Sequence, residues 1–395
     1  MAIMVPLTCT GDFSLNKFFV SCPMNFENEL VKEIESFWFS LIDLDGLPTR
    51  EPLPEFEIDT AGVELKTPLH LGLQINFFSK LALRVLMRIE SFEARYFDQF
   101  EKGLAKLALE KYLPPQKINI QIESMKSRLF HEGNLLESAT KVLAKRNYIF
   151  DKESDMTLLF RVVKDRVVIS IDTSGEHLHF RGYRKFQGEA PIRENLASLI
   201  LQLSDLNTMQ DQVIFDPYCG SGTFFFESQL SHFPNFNRKY SFQKFKNIPA
   251  IFKSDSWKKN YRWINSNQIN QFFGIEKNTD TYKKIALNSE VFKDVFCPIE
   301  IQAVQADSEN YDLKKIDDFA AGKKIALVTN PPYGERSAAG DVVKSIERFE
   351  GLKNLEKVVI IHPENWKFHF KKLKLAKSIP FSNQGLKTQV SIFEK

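Results

Sequence analysis

The sequence predicts an α/β fold: a doubly wound parallel sheet in the second half, preceded by an α+β module of smaller units. Three observations predict it. After residue 180, apolar runs such as "QVIFD", "QFFGIE", "IEIQAVQ" and "KKIALVT" recur with helix-patterned stretches between them, and strands buried on both faces read as apolar throughout. Before residue 180, strand alternation and helical periodicity mix in short units. The length of 395 residues exceeds what one core supports, so two domains or more are expected.

Each element follows in order. Residues 18–37 read as a strand, a turn capped by Asn25 and an amphipathic helix. The proline- and acid-rich stretch to residue 59 reads as an extended surface loop. Helical patterning resumes in "LHLGLQINFFSKLALRVLMRI" (69–89) and in "YFDQFEKGLAKLALEKYL" (96–113). "KINIQIESM" alternates as a strand and "LLESATKVLAKRNYI" is a helix. "TLLFRVVKDRVVISID" is a strand pair about the turn Lys164–Asp165. Beyond residue 180, strands ending at Asp216 and Glu276, two more ending near Asp307 and Asn330, and then "LEKVVIIHPENW" and "TQVSIFEK" build the sheet. There is no internal repeat and no low-complexity tract.

Composition narrows the class. Hydrophobic content of 43% and charged content of 26% is an ordinary globular balance. The 36 phenylalanines are read as core filling. A net charge of +3 does not announce nucleic acid, so basic surface has to come from local clusters. The 4 cysteines, Cys9, Cys22, Cys219 and Cys297, are scattered without a CxxC pair, which disfavours zinc and a disulfide framework. Cys219 and Cys297 are read as small packing residues. No apolar run approaches the roughly 18–20 residues of a membrane span, and the start lacks a basic leader region. A cytoplasmic protein without metal is the expectation.

Ligands of open α/β sheets sit beyond the carboxyl ends of the strands, where Asp216, Glu276, Asp307 and Asn330 all fall. In "FDPYCGSGT" (215–223), Gly220 and Gly222 let the backbone turn tightly and Thr223 opens a helix whose free N–H groups favour an anion. The spacing is neither G-x-G-x-x-G nor a P-loop, so a small carboxylate fits better than a nucleotide phosphate; an ordinary βα turn is the bland alternative. Glu276 can accept ribose hydroxyls and Asp307 an adenine amino group. Each acid alone reads as a solvated loop carboxylate; three at successive strand ends suit a nucleoside carrying an amino acid. In "TNPPYGER" (329–336), the Asn330 amide oxygen and the Pro331 carbonyl are adjacent acceptors that suit an exocyclic NH2, while Tyr333 offers a stacking face.

These segments, with "RGYRKFQGEAPIRENLA" before them, resemble the class I S-adenosylmethionine-dependent methyltransferases that modify RNA. More narrowly they resemble the THUMP-containing guanine-N2 methyltransferases of bacterial 23S rRNA, and the resemblance covers the chain from about residue 18. It implies an N-terminal extension (1–17), a ferredoxin-like segment (18–69), a THUMP RNA-binding domain (70–172) and a Rossmann-like methyltransferase domain (180–395). By that resemblance S-adenosyl-L-methionine is the cofactor. Asp216, Gly220, Gly222 and Thr223, with Pro217, Cys219 and Ser221 in the same turn, hold its methionine part. Glu276 holds the ribose, Asp307 the adenine, and Ala190 and Pro191 close over the cofactor. Asn330, Pro331, Pro332 and Tyr333 hold the target base. Glu276 stands where the family commonly has aspartate, which keeps the acceptor role, and the loop at 43–59 is longer than usual.

Structured rRNA is the implied partner, with no membrane, no metal, and a monomer or weak dimer. Lys126, Arg128, Lys141, Lys145 and Arg146 are RNA-contact candidates in the first half. Two further clusters are basic and aromatic. Residues 231–264 carry 8 Lys/Arg against 1 acid, and 365–377 carry 5 lysines and no acid. The first of these reads equally well as an insertion with its aromatics packed underneath. Asn-Pro-Pro-Tyr also serves adenine N6 and the glutamine amide, so those targets stay open, as does a non-catalytic ribosome-assembly factor. The glycine spacing disfavours a dehydrogenase.

Overall fold

A computed structural model describes residues 15–186, 188, 192–206, 211–231, 233–254, 258, 271–296, 299–333, 339–383 and 386–395. Contacts divide the chain into two units: residues 1–76, 84–176 and 239–261 in the first, and 77–83, 177–238 and 262–395 in the second.

In the first unit, strands β1 (Asn16–Ser21), β2 (Phe56–Asp59), β3 (Gly62–Thr67), β4 (Arg84–Glu93), β5 (Lys117–Met125), β6 (Ile149–Phe150), β7 (Thr157–Val163) and β8 (Arg166–Asp172) share one sheet. Its order is β2-β3-β1-β4-β8-β7-β5-β6, antiparallel except for the β5–β7 and β5–β6 pairs. Helices α1 (Glu27–Phe37), α3 (Phe97–Ala105) and α4 (Glu132–Ala144) belong to this unit, and α2 (Leu69–Phe78) runs to its boundary. Helix α1 is amphipathic as its sequence implies, burying Leu30, Ile34 and Phe37 at i, i+4 and i+7. The β7–β8 turn is also as expected: Lys164 and Asp165 both take left-handed conformations (φ 51° and 64°), the twist that matches two flanking strands.

Several expectations are corrected. Asn25 does not cap α1: it lies at φ 71° and donates its backbone N–H to Glu27, while Phe26 precedes the helix. The helical reading of 69–89 holds only to Phe78; "RVLMRI" is the start of β4, because a short apolar run carries no period that separates helix from strand. The helix of 96–113 stops at Ala105 and leaves a 3-10 turn at Leu109–Lys111. The loop to residue 59 ends in strand β2.

In the second unit, β9 (Gln212–Asp216), β10 (Gln271–Glu276), β11 (Ile301–Gln305), β12 (Lys324–Thr329) and β13 (Leu355–Pro363) are parallel, joined by β14 (Lys374–Asn383) and β15 (Leu386–Glu394). The order is β11-β10-β9-β12-β13-β15-β14, with β15 antiparallel to both neighbours. Helices α5 (Glu194–Leu203), α6 (Thr223–Leu230), α7 (Thr279–Val295), α8 (Leu313–Ala320) and α9 (Ala339–Arg348) accompany it. Strand β9 is buried along its whole length, as the apolar run required. Val213, Phe215, Phe273, Ile325, Leu327, Val358 and Ile360 meet in one core on the sheet. Strand order reverses between β9 and β12, and at such a switch point a crevice opens beyond the carboxyl ends.

Candidate active site

The switch point puts the ends of β9 and β12 side by side. Leu327 pairs with Phe215, so Thr329 and Asn330 leave β12 next to Asp216. Thr329, which sequence reasoning assigned no role, is fully buried and donates its Oγ1 hydroxyl to Asp216 Oδ1 at 2.7 Å. The same oxygen accepts from the Tyr218 N–H at 3.0 Å. Burial pushes the Asp216 carboxyl up to about 7, the two hydrogen bonds oppose that, and the nearby Glu276 charge adds to it. No cation meets Asp216 among the described residues, and a carboxylate held in this way favours an arriving positive charge.

The turn after Asp216 is built around glycine. Gly220 and Gly222 have φ of 56° and 87°, and Gly222 precedes α6 with no side chain capping that helix start. The Gly220 N–H donates to Glu276 Oε2 at 3.0 Å, so the acid ending β10 braces the turn. Glu276 Oε1 accepts from the Asn278 N–H at 2.7 Å, and burial raises the carboxyl above its ordinary value. Cys219 takes part through its backbone: its N–H donates to the Ile275 carbonyl at 3.0 Å, while its thiol is buried. A Cβ on Gly274 would come within 2.7 Å of that sulfur, so the glycine of β10 makes room for the turn. Ser221 and Thr223 are buried at the start of α6.

Asp307 lies beyond β11. Its Oδ2 pairs with Lys277 Nζ at 2.7 Å and its Oδ1 accepts from the Glu309 N–H at 3.1 Å. The Lys277 hydrogen bond holds its carboxyl below the usual range. Asn330 Oδ1 is buried with no hydrogen-bond partner among the described residues. A buried acceptor left unpaired costs about 1–3 kcal/mol, which a donor brought by a ligand recovers. Pro331 is buried, and Tyr333 packs partly buried against the core cluster.

Ala190 and Pro191 lie outside the described residues, as does Cys297. The residues after them supply what the sequence reading did not assign. Glu194 and Asn195, at the start of α5, are almost fully buried, and Glu194 Oε2 and Asn195 Oδ1 both lack hydrogen-bond partners among the described residues. Arg184 Nε lies 3.0 Å from Glu194 Oε1, and Arg184 Nη1 donates to Thr223 Oγ1 at 3.2 Å, tying this acid to the head of α6. Burial pushes Glu194 up to about 7 against the pull of Arg184. Its signal in the sequence was an acid one residue after an arginine in "APIREN", which no periodicity picks out.

The RNA candidates separate. Lys126, Arg128, Lys141 and Lys145 are exposed, and Arg128 lies over the Tyr96 ring at 5.7 Å. Arg146 is occupied within its own unit: its Nε donates to Glu110 at 2.8 Å and its Nη1 to the Leu104 carbonyl at 3.3 Å. In the described part of 231–264, Tyr240, Phe242, Phe245 and Ile251 are buried, and residues 239–261 belong to the first unit, which favours the packing reading there. No group of His, Cys, Asp or Glu suited to a metal occurs among the described residues, and no helix among them is long and apolar enough to cross a membrane.

Residues 181–357 match the family described as UPF0020, RMKL-like, methyltransferase domain. The matched segment contains β9, β10, β11 and β12, and with them the switch point. The chain is 25% identical over 367 residues to the ribosomal RNA large subunit methyltransferase K/L of Acinetobacter baumannii, covering 86% of this chain and 47% of that protein. It thus spans about half the length of such curated relatives. It is also 24% identical to the putative RNA methyltransferase YpsC of Bacillus subtilis, over 88% of each chain. A solved structure of SMU.472, a putative methyltransferase complexed with SAH, superposes with a TM-score of 0.77 at 22% identity, covering 96% of this chain and 98% of that one. The sheet that carries the switch point is therefore part of a known fold.

Proposed function

We propose that this chain is an S-adenosylmethionine-dependent methyltransferase that modifies the exocyclic N2 amine of a guanine in large-subunit rRNA. The observation that carries the reading is the buried Asn330 Oδ1, without a hydrogen-bond partner among the described residues, beside the buried Asp216 at the switch point. A relative named for ribosomal RNA and a fold neighbour holding SAH support it. The first unit, with its exposed Lys126, Arg128, Lys141 and Lys145, is the proposed RNA-binding module.

When bound, S-adenosylmethionine supplies an electrophilic methyl group on a sulfonium. Asp216, which meets no cation among the described residues, and Glu194, whose Oε2 is unpaired among them, both have carboxyls pushed up to about 7 and suit the positive end of its amino-acid part. The uncapped start of α6 suits the carboxylate. Glu276 and Asp307 suit the ribose and the adenine. Asn330 Oδ1 and the Pro331 carbonyl accept the two N–H bonds of the target amine and aim its nitrogen. Tyr333 offers a face that offsets the few kcal/mol of unstacking a base. No strong base is required, because the amine becomes cationic and acidic once methylated. Orientation supplies most of the rate, up to about 7–11 kcal/mol for a well-held pair.

Nucleoside mass analysis of 23S rRNA incubated with the protein and labelled cofactor tests the substrate; N2-methylguanosine is expected, and N6-methyladenosine would overturn the assignment of the base. Asn330→Ala is expected to keep cofactor affinity by calorimetry while losing turnover about 100-fold or more, by analogy with removal of one transition-state contact. Normal turnover in that variant would overturn the site.

A further inference from the structure

We infer that a lysine ridge on the loop between β13 and β14 grips RNA phosphates beside the base presented to Asn330, an inference that rests on the proposed RNA substrate. Strand β13 is parallel to β12, with Thr329 opposite Ile360. The loop that follows Pro363 therefore leaves the sheet at the edge where Asn330 leaves it.

The loop divides its side chains by character. Trp366 is buried, and Phe368 and Phe370 are half-buried on the core cluster, Phe370 lying edge-on to Phe393 at 4.9 Å. Lys367, His369, Lys371, Lys372 and Lys374 are exposed. The acids on and after α9 serve the backbone of the loop, and Glu350 in addition attracts Lys372. Glu347 on α9 accepts the His369 N–H at 2.6 Å, and Glu350 just beyond α9 accepts the N–H groups of Lys371, Lys372 and Leu373. Two carboxylates thus serve the backbone of the loop and fix its path. Lys367, Lys371 and Lys372 form no ion pair among the described residues.

Packing of aromatics and pinning of backbone leave Lys367, Lys371 and Lys372 exposed on a loop of fixed path. A phosphodiester chain, with one charge per nucleotide, is the partner that such lysines complement. A competing account exists for part of it. Strand β14 is the edge of the sheet, where lysines discourage pairing with another chain. That accounts for Lys374 and Lys377, which lie on the strand, and not for Lys367, Lys371 and Lys372, which precede it. Helix α9 follows the Asn330–Tyr333 segment in the chain and carries Glu347, one of the two acids that hold the loop.

The test is RNA binding measured against salt, with the full chain and a 23S rRNA transcript, and a triple variant Lys367→Gln, Lys371→Gln, Lys372→Gln. Loss of three phosphate contacts is expected to reduce the slope of log affinity on log salt by roughly 2, since each contributes about 0.7–0.9. KM for RNA rises while kcat and cofactor affinity hold. The pair Lys374→Gln, Lys377→Gln is expected to leave the slope unchanged. An unaltered slope in the triple variant would overturn the inference, as would a loss confined to binding of phosphatidylserine vesicles. Because the slope does not require methyl transfer, a wrong assignment of the reaction would still leave this measurement readable.

Discussion

Asp172 and Asp216 occupy matching places in the two units. Each ends a strand, each is almost fully buried, and each has its carboxyl raised by burial. Their partners differ. Asp172 faces the Arg84 guanidinium and accepts the Ser174 and Gly175 N–H groups. Asp216 has a hydroxyl, one N–H and another acid nearby. Among the described residues the first carboxylate meets a cation and the second does not. A buried acid therefore signals function by the partner it lacks more than by its burial, since structural ion pairs perturb carboxylates equally.

The largest expected effect is on ligand binding. Asp216→Asn keeps an Oδ1 acceptor for Thr329 and Tyr218 but removes the charge, so cofactor affinity by calorimetry should fall roughly 100-fold. Unchanged affinity would erase the distinction between the two aspartates. The counterpart Asp172→Asn should leave Arg84 without its counter-charge and lower unfolding free energy by about 3 kcal/mol in a urea titration. Stability should move the other way at position 216. The folded pKa of about 7 lies above the ordinary 3.8, so the folded state holds the extra proton and the wild type loses stability as pH rises between those values. Relief of that buried charge should make Asp216→Asn more stable than wild type at pH 8 by on the order of 2 kcal/mol.

Cofactor affinity sharpens the comparison further. Ionised Asp216 is the form that attracts a cation, so affinity should tighten as pH rises towards about 7 and level off above it. Asp216→Asn should flatten that profile, and any step that remains belongs to Glu194, also pushed up to about 7. The smallest effect is Thr329→Val. Removing the hydroxyl that lowers the Asp216 pKa should move the step upward by roughly one unit, equivalent to about 1.4 kcal/mol.

Much of the second unit was legible because parallel strands buried on both faces leave uninterrupted apolar runs, and polar residues at their ends mark the ligand edge. Asp216, Glu276 and Asn330 came from that pattern. Thr329 did not, since its partner is 113 residues away and a threonine at a strand end is unremarked locally. Arg146 was misleading for the same reason: Glu110, which occupies it, lies 36 residues earlier. Strand β14 was hidden by its edge position, where lysines interrupt the alternation of "KLAKSIPFSN". The start of β4 was read as helix because "LALRVLMRI" is apolar without a resolved period.

The short segment Phe77–Leu83 has a practical consequence for anyone dissecting the protein. It belongs to the second unit although residues 84–176, which belong to the first, separate it from the rest. The Phe77 carbonyl accepts the Asn235 N–H at 2.8 Å, and the Leu83 carbonyl accepts the Leu178 N–H at 2.9 Å. A truncated clone starting at residue 177 would sever those links and bare the surfaces they cover. Supplying the missing heptapeptide in trans, or grafting it through a linker, is the route by which an excised C-terminal fragment would stay folded.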